Sequence, residues 1–396
     1  MSKITRNKQG LIVLIAGCIL LLFLGIIYSW SVFVIPVSEV YDWDISSVRL
    51  VTAYMISFFA LGMLLGGRLQ AILKAEKIVL LGGLLLSAGM LVTAFIPASL
   101  AQLVYVSYGI LGGLGTGVGY NIVITASQKW FPQNRGFATG LSVSAFGFST
   151  VIFAPLIETL AGQYGIRHTF IILAAAFLFA ALALFSFIRL PDDDNPIDEA
   201  YKALLVKKQY TITETIRTRE FYFLTCASIF ANAAFLILTP SIKIFSLERG
   251  LSELLGTYLV MLSGVTNAAG RLVVPIFSDR LGREKTVIIV ILGTALGAFL
   301  LCFSGGIIYI TAVVLITFCY GGYPSLFSFL TADYFGIKHV GVNYGAVMMG
   351  FALSALFSPV LIGLIDNSTL QFITLTATAI IAAVFIRLLA MSKGKM

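Results

Sequence analysis

The chain has 396 residues, of which 59% are hydrophobic and 11% charged, with 26 Lys and Arg against 18 Asp and Glu. A soluble domain carries about 45–50% apolar and about 25% charged residues, so this composition excludes a water-soluble globular protein. Membrane topology and anionic lipid head groups account for the net charge of +8 without a nucleic-acid partner.

Apolar blocks follow one another along the chain, and each is close to the length of about 20 residues that a bilayer requires of a helix. We predict an all-α membrane protein with twelve transmembrane helices. Their predicted spans are 11–36, 48–73, 77–97, 100–128, 136–159, 168–190, 219–242, 252–278, 285–304, 306–332, 340–365 and 370–390. The first block is too long for a signal peptide, and we expect it to be retained.

The distribution of cations predicts the orientation, because Lys and Arg are retained on the cytoplasmic side of a membrane. With the N-terminus inside, only Arg49, Arg167, Lys243 and Arg249 fall on the external side, and Arg271 falls inside a block. All other cations are then cytoplasmic. We predict a multi-pass protein of the plasma or inner membrane with both termini in the cytoplasm.

The longest polar stretch, 191–218, divides the chain into segments 1–190 and 219–396 with six blocks each. Trp130-Phe131-Pro132 and Tyr334-Phe335-Gly336 both follow the fourth block of their segment, which indicates a duplication. We therefore predict two six-helix halves joined by a cytoplasmic linker. In membrane proteins built from two such halves, a binding site is expected between the halves near the membrane midplane.

Arg271 is the most informative residue, because a guanidinium inside a membrane helix costs at least about 2.5–3.5 kcal/mol. The residue one turn earlier is Asn267, which is neutral. A guanidinium without an acidic partner matches a carboxylate through its planar fork of donors. The alternative is an Arg near a helix end that reaches the cytoplasm, but two further turns and Arg280 separate Arg271 from the loop.

Several polar residues in other blocks lie at a similar depth to Arg271 and could line a shared cavity. They are Tyr28, Tyr54, Tyr120, Asn121, Asn232, Tyr320 and Tyr323. Each is also compatible with an ordinary packing role. Glu158, near the external end of the fifth block, is a candidate proton site, with a carboxylate hydrated at the interface as the alternative.

The four cysteines, Cys18, Cys226, Cys302 and Cys319, lie in apolar blocks without metal-ligand spacing. We expect no disulfide, metal or other cofactor. An enzyme would also need clustered nucleophiles or bases, and the sequence offers none.

The loop after the eighth block contains Asp279, Arg280 and Arg283. It resembles the loop motif of the major facilitator superfamily, in which an Asp and Arg residues pair across helix ends and lock one state of the gate. The alternative for Asp279 and Arg283 is a helix cap and a positive-inside anchor. The matching loop of the first half, 66–77, lacks the Asp.

Further segments resemble the oxalate/formate antiporter and monocarboxylate transporter branch of this superfamily. They are Gly25 to Pro36, Tyr120 to Gly140, Asn267 to Asp279, Tyr320-Gly321-Gly322, Asp333 to Gly336 and Asn343-Tyr344-Gly345. The resemblance implies the major facilitator fold and a cavity in which Arg271 holds a carboxylate, surrounded by Tyr28, Trp30, Tyr120 and Tyr320.

Two positions depart from that family pattern. Members that carry oxalate have a second cation, a Lys, where this chain has Phe351. Proton-coupled animal relatives commonly have an Asp where this chain has Asn267. The first departure favours monocarboxylates over dicarboxylates, and the second argues against proton coupling through the eighth helix.

We predict a secondary active transporter of a small monocarboxylate such as lactate, pyruvate or formate, with protons left open as a coupled ion. Its other partners are membrane lipids, and we expect a monomer. The predicted binding residues are Arg271, Tyr28, Trp30, Tyr120, Asn121, Asn267, Tyr320, Tyr323 and Phe351, with Asp279, Arg280 and Arg283 in the gate. An oxalate/formate-type exchanger, a drug or sugar exporter and a non-transporting anion sensor remain as alternatives.

Overall fold

The computed structural model describes residues 3–132, 134–191, 208–303, 305–365 and 367–392, without the side chains of residues 3–7, 135 and 253. These residues form helices and their connections. In chain order the long helices are α1 (Lys8–Tyr41), α2 (Ile45–Leu69), α3 (Ala75–Phe95), α4 (Tyr105–Trp130), α5 (135–164), α6 (166–184), α7 (Arg219–Glu248), α8 (Leu254–Leu281), α9 (Arg283–Leu300), α10 (Gly306–Phe335), α11 (Val340–Gly363) and α12 (Ser368–Ser392).

Ten helices in the described ranges are long and apolar enough to cross a membrane by length and composition. One of them, Gly136–Phe187, has 52 residues and contains both α5 and α6. Its backbone breaks at Gly165, where φ is 78° and ψ is 163°, a conformation that glycine adopts at little cost. The helix α9 is not among these ten because its first turn is charged. Counting α5 and α6 separately and adding α9 gives the twelve spanning helices predicted from the sequence.

Most of the predicted linker, 192–207, lies outside the described residues, so the division into 1–190 and 219–396 stays a prediction. The described end of the linker contacts α10, because the Tyr210 amide donates to the Phe335 carbonyl at 2.9 Å. A short helix, Ile212–Thr215, follows and is capped by Thr211 and Glu214. Hydrogen bonds from Thr211 lower the pKa of the exposed Glu214 carboxyl.

The first six helices contact the last six most extensively through two pairs: α2 packs against α11, and α5 packs against α8. Since the number of crossings is even, both chain ends lie at one end of the bundle, which we call the terminal face. The other end is the opposite face.

Glycines let particular helices approach until their backbones touch. A Cβ atom at Gly25 of α1 would lie 2.0 Å from the Phe146 carbonyl oxygen of α5. Between α8 and α10, a Cβ at Gly270 would lie 2.0 Å from the Phe318 oxygen, and one at Gly321 would lie 2.2 Å from the Asn267 oxygen. Real Cβ atoms do not come this close to backbone atoms, so only glycine permits these contacts.

We predict that Gly321→Ala destabilises the protein by about 1–3 kcal/mol, the usual cost of overpacking a core. The added methyl group meets backbone atoms of α8, which cannot move without separating the two helices. Thermal unfolding in detergent measures the effect. Gly363→Ala in α11 is the matched control, because a Cβ there meets nothing within 4 Å. Equal melting temperatures for the two variants would contradict the close approach.

Candidate functional site

The guanidinium of Arg271 in α8 is fully buried, with 0% of its surface exposed. Its Nε donates to Asn267 Oδ1 at 2.8 Å, one terminal nitrogen donates to the Val143 carbonyl at 3.2 Å, and the other donates to the Tyr28 hydroxyl at 3.1 Å. These bonds use three of the five N–H groups of an arginine. No carboxylate of the described residues pairs with Arg271.

Aromatic rings surround this cation. The guanidinium carbon lies 5.4 Å from the ring centres of Tyr28 and Phe146 and 6.0 Å from that of Tyr320. The negative faces of such rings attract a cation, by about 2 kcal/mol or more when the pair is desolvated. The Tyr28 and Tyr320 hydroxyls are also bonded to each other at 2.7 Å. Rings and carbonyl dipoles thus partly replace the missing counter-ion.

Gly147 of α5 provides the space in which the Arg271 side chain lies. A Cβ at Gly147 would lie 2.8 Å from Nε and 2.9 Å from Cδ of Arg271. The same face of α5 supplies the Val143 carbonyl and the Phe146 ring. The position of the cation therefore depends on a helix that does not carry it.

The space next to Arg271, which we call the Arg271 pocket, is walled by aromatic and methionine side chains. Its lining residues are Tyr28, Phe59, Met63, Tyr120, Phe146, Asn232, Arg271, Tyr320, Tyr323, Pro324, Phe327, Tyr344, Met348 and Phe351. The cavity of about 10 Å³ is near the minimum that holds one water molecule. A carboxylate can bind here only after the walls move apart.

Five of the residues predicted to contact substrate line this pocket together with Arg271. They are Tyr28, Tyr120, Tyr320, Tyr323 and Phe351. The Tyr120 hydroxyl interacts with Arg271 and Tyr344, and that of Tyr323 bonds to Thr294 at 2.6 Å. Phe351 is 2% exposed. Asn267 is not in the lining, and its contact is with Arg271 itself.

Two other predicted residues lie elsewhere. Trp30 stacks on Tyr108 with ring centres 4.7 Å apart and donates to the Val48 carbonyl at 2.9 Å, so it packs among the first six helices. The Asn121 amide donates to the Gly341 carbonyl at 3.0 Å and accepts from Gln70 at 2.9 Å. Asn121 thus joins α4 to α11 near the terminal face.

The sequence-based site omitted several lining residues, among them Phe146, Asn232 and Tyr344. The sequence showed Asn232 as a polar residue at a depth similar to that of Arg271. Depth alone does not distinguish a residue that lines a cavity from one that packs against another helix. Phe146 is one phenylalanine among 31, and no local pattern distinguishes it. Its spacing of one turn from Val143 becomes informative only when α5 is known to face α8.

The terminal face is closed by contacts between the first and last six helices. A Cβ at Gly67 would lie 2.7 Å from the Gly341 carbonyl oxygen, and the Gln128 amide donates to Ser328 at 2.8 Å. His339 lies beside this closure, and burial and the charges of Lys338 and Lys129 lower the pKa of its imidazole, with Glu214 opposing them. The imidazole is therefore held towards its neutral form.

The predicted gate residues lie at the same face. Asp279 approaches the start of α5, because a Cβ at Gly136 would lie 2.9 Å from its carboxylate oxygen. A carboxylate there meets the positive end of the α5 dipole. Arg283 forms an ion pair with Asp333 at 2.6 Å, which links α9 to α10 rather than to α5. Arg280 is exposed at the end of α8.

At the opposite face a cavity of about 400 Å³, which we call the vestibule, lies between the first and last six helices. Its walls come from α1, α5, α7 and α8 and include Glu39, Glu158 and Lys243. Ser31 and Val32 of α1 also line it, one turn beyond Tyr28 of the Arg271 pocket. The two cavities are thus separated by about one helical turn, whereas the terminal face is closed at several levels.

Comparisons of this chain with a family model and with known proteins agree on one family. The model described as Major Facilitator Superfamily matches residues 15–359. The transporter YhjX of Escherichia coli is 25% identical over 362 residues, covering 90% of this chain and 88% of its own. The oxalate:formate antiporter of Oxalobacter formigenes is 26% identical over 339 residues, covering 84% and 79%. Monocarboxylate transporter 13 of Bos taurus is 23% identical over 370 residues, covering 92% and 84%.

The fold also matches solved structures. The proton:xylose symporter XylE with 6-bromo-6-deoxy-D-glucose bound superposes with a TM-score of 0.72 over 96% of both chains, at 15% sequence identity. At that identity the likeness concerns the fold and not the substrate.

We predict that Gly147→Ala destabilises the protein by about 1–3 kcal/mol because its methyl group meets the Arg271 side chain. A double-mutant cycle isolates this contact. In an Arg271→Ala background the nearest remaining atom is Ala268 Cα at 3.4 Å, an ordinary contact, so most of the cost should disappear. Gly162→Ala, with no neighbour within 4 Å, is the control on the same helix. A cost that persists without Arg271 would disprove the assignment.

Proposed function

The chain belongs to the major facilitator superfamily, and from that premise we propose that it transports a small monocarboxylate, with Arg271 as the cation that binds it. The observation that carries this proposal is a fully buried guanidinium without a carboxylate partner among the described residues. One N–H group on each terminal nitrogen is not used by the hydrogen bonds to Val143 and Tyr28.

A carboxylate matches this arrangement. Its two oxygens accept two parallel N–H groups from an arginine, and such charge-assisted bonds are about twice as strong as neutral ones. A neutral sugar would leave the buried cation without a counter-charge, which argues against the sugar exporter. A cationic drug would be repelled.

The pocket lining favours one carboxylate over two. Among the described residues Arg271 is the only cation in the lining. By the family resemblance, Phe351 occupies the position at which carriers of dicarboxylates have a Lys. A dianion would have one carboxylate desolvated and unpaired, at an effective cost of several kcal/mol. The methyl or methylene group of a monocarboxylate can instead contact the aromatic wall.

The relatives support the same class of substrate. Two of them are named as an oxalate:formate antiporter and a monocarboxylate transporter, both carriers of small organic anions. The oxalate/formate-type exchanger remains the second candidate, because the relative that carries that name covers 84% of this chain. A sensor that does not transport is the third.

Alternating access is the mechanism that the two faces support. The vestibule opens towards the opposite face while the terminal face is closed, and the Arg271 pocket lies between them. We infer that the terminal face is cytoplasmic, since the topology predicted from the sequence assigns the cations other than Arg49, Arg167, Lys243, Arg249 and Arg271 to that side. Movement of α2 and α5 away from α11 and α8 would then release the anion inwards, with Asp279 stabilising the closed state.

We predict that Arg271→Ala abolishes uptake of labelled lactate by proteoliposomes, because the binding charge is lost. Arg271→Lys should lower affinity about tenfold or more, since an ammonium cannot form two parallel bonds, and a hydrogen bond to a charged group contributes about 1.5–3 kcal/mol. Arg249→Lys is the matched control, since Arg249 donates to the carbonyls of Phe245 and Leu301 and does not line the Arg271 pocket. Normal uptake by inserted Arg271→Ala would exclude the proposed role.

We also predict that Phe351→Lys raises affinity for oxalate relative to lactate, because it adds a second cation to the pocket wall. Binding of both anions is compared in wild type and variant at one ionic strength. Repulsion between the new ammonium and Arg271 lowers the stability of the empty protein, so the ratio of affinities is the relevant quantity. A wild type that already prefers oxalate, or an unchanged ratio, would favour the exchanger instead.

A further inference from the structure

Asn232 of α7 presents an unused hydrogen-bond acceptor in the Arg271 pocket. Its side chain is 2% exposed and lines the pocket. An amide oxygen in a pocket that loses its water to a ligand without gaining a hydrogen bond keeps the full loss of hydration. Such a group in a binding pocket points to a ligand that supplies the missing donor.

The hydrogen bonds of Asn232 fix which end of the amide faces the pocket. Its Nδ2 lies 2.6 Å from the backbone carbonyl oxygen of Ser228 and 3.5 Å from the Ser228 hydroxyl. A carbonyl oxygen can only accept, so the atom beside it must be the nitrogen. The nitrogen is thereby turned back onto its own helix. Oδ1 receives no donor from the described residues.

The neighbours of Asn232 place it near the residues that surround Arg271. Phe235, one turn further along α7, stacks on Tyr320 with ring centres 3.3 Å apart and contacts Tyr28 edge-on. Tyr28 in turn holds the Arg271 guanidinium. The face of α7 that carries Asn232 therefore forms a wall of the pocket next to the residues around the cation.

The other polar groups of the pocket are largely engaged. The hydroxyls of Tyr28 and Tyr320 bond to each other, which uses one of their two O–H donors, and that of Tyr344 donates to the Pro324 carbonyl at 2.8 Å. The pocket therefore offers spare donors on Arg271 and on one of these two tyrosines, and a spare acceptor on Asn232. A ligand that satisfies both Arg271 and Asn232 has a carboxylate and a separate hydroxyl group.

We propose that Asn232 is a specificity-determining residue whose Oδ1 accepts a hydrogen bond from a hydroxyl group of the transported anion, so that hydroxy monocarboxylates are preferred. This inference rests on the proposed function. An unsubstituted acid leaves Oδ1 unpaired, and a 2-oxo acid places a second carbonyl oxygen against it. The Asn232 oxygen therefore disfavours both unsubstituted acids and 2-oxo acids relative to hydroxy acids.

The test compares lactate, propionate and pyruvate as competitors for binding to the purified full chain. Lactate and propionate differ only by the hydroxyl group. We expect wild type to bind lactate about three- to tenfold more tightly than propionate, the effect of one neutral hydrogen bond. Pyruvate should bind no better than propionate. In Asn232→Leu, which keeps the approximate volume without the amide, the lactate to propionate ratio should fall to about one.

Ser228→Ala is the matched control, because it removes only the hydroxyl at 3.5 Å and leaves the backbone acceptor of the Asn232 amide. Its ratio should equal that of wild type. If Asn232→Leu does not fold, Asn232→Ala removes the same acceptor without adding bulk. Equal affinities of wild type for lactate and propionate, or a preference that survives the loss of Asn232, would overturn the inference. Binding of none of the three anions would instead reject the proposed function.

Discussion

The structure depends on one group with a large desolvation cost, the Arg271 guanidinium, which is 0% exposed inside a membrane protein. Several interactions offset its cost: the Asn267 amide, the Val143 carbonyl, the Tyr28 hydroxyl and the faces of three rings. None of these carries a full negative charge. The cation is thus stabilised enough to persist while its attraction for an anion is retained.

The partners of Arg271 come from both sides of the molecule. Tyr28 and Val143 belong to α1 and α5, whereas Asn267 lies in α8 beside Arg271 itself. The hydrogen bonds from the two terminal nitrogens therefore tie α8 to the first six helices. On the proposed function, an anion that binds these nitrogens competes with the hydrogen bonds to Tyr28 and Val143. Anion binding would therefore weaken the contact between α8 and the first six helices and allow them to move apart.

Glycines, which have no side chain, matter as much in this arrangement as the larger residues. Gly25 brings α1 against α5, Gly321 brings α10 against α8, and Gly147 admits the Arg271 side chain itself. A single added methyl group would prevent each of these contacts. The closed terminal face uses the same means, since Gly67 lets α2 meet the backbone of α11 at Gly341. Close contact between backbones maximises van der Waals packing, which is a main source of helix association where both lipid and side chains are apolar.

The sequence by itself determined the membrane class, the spans and the presence of one isolated cation, Arg271, inside a span, because hydropathy and an isolated charge are properties of one helix at a time. It also indicated the family, placed Tyr28, Tyr120, Tyr320 and Tyr323 at a shared depth, and singled out Phe351 through the family resemblance. Only the tertiary structure decided which faces meet. Trp30 and Asn121 pack away from the pocket, whereas Phe146 and Gly147 contact the cation and Asn232 lines the pocket. The rotation of a helix about its axis is set by packing against distant segments, and no local pattern in an almost uniformly apolar helix specifies it.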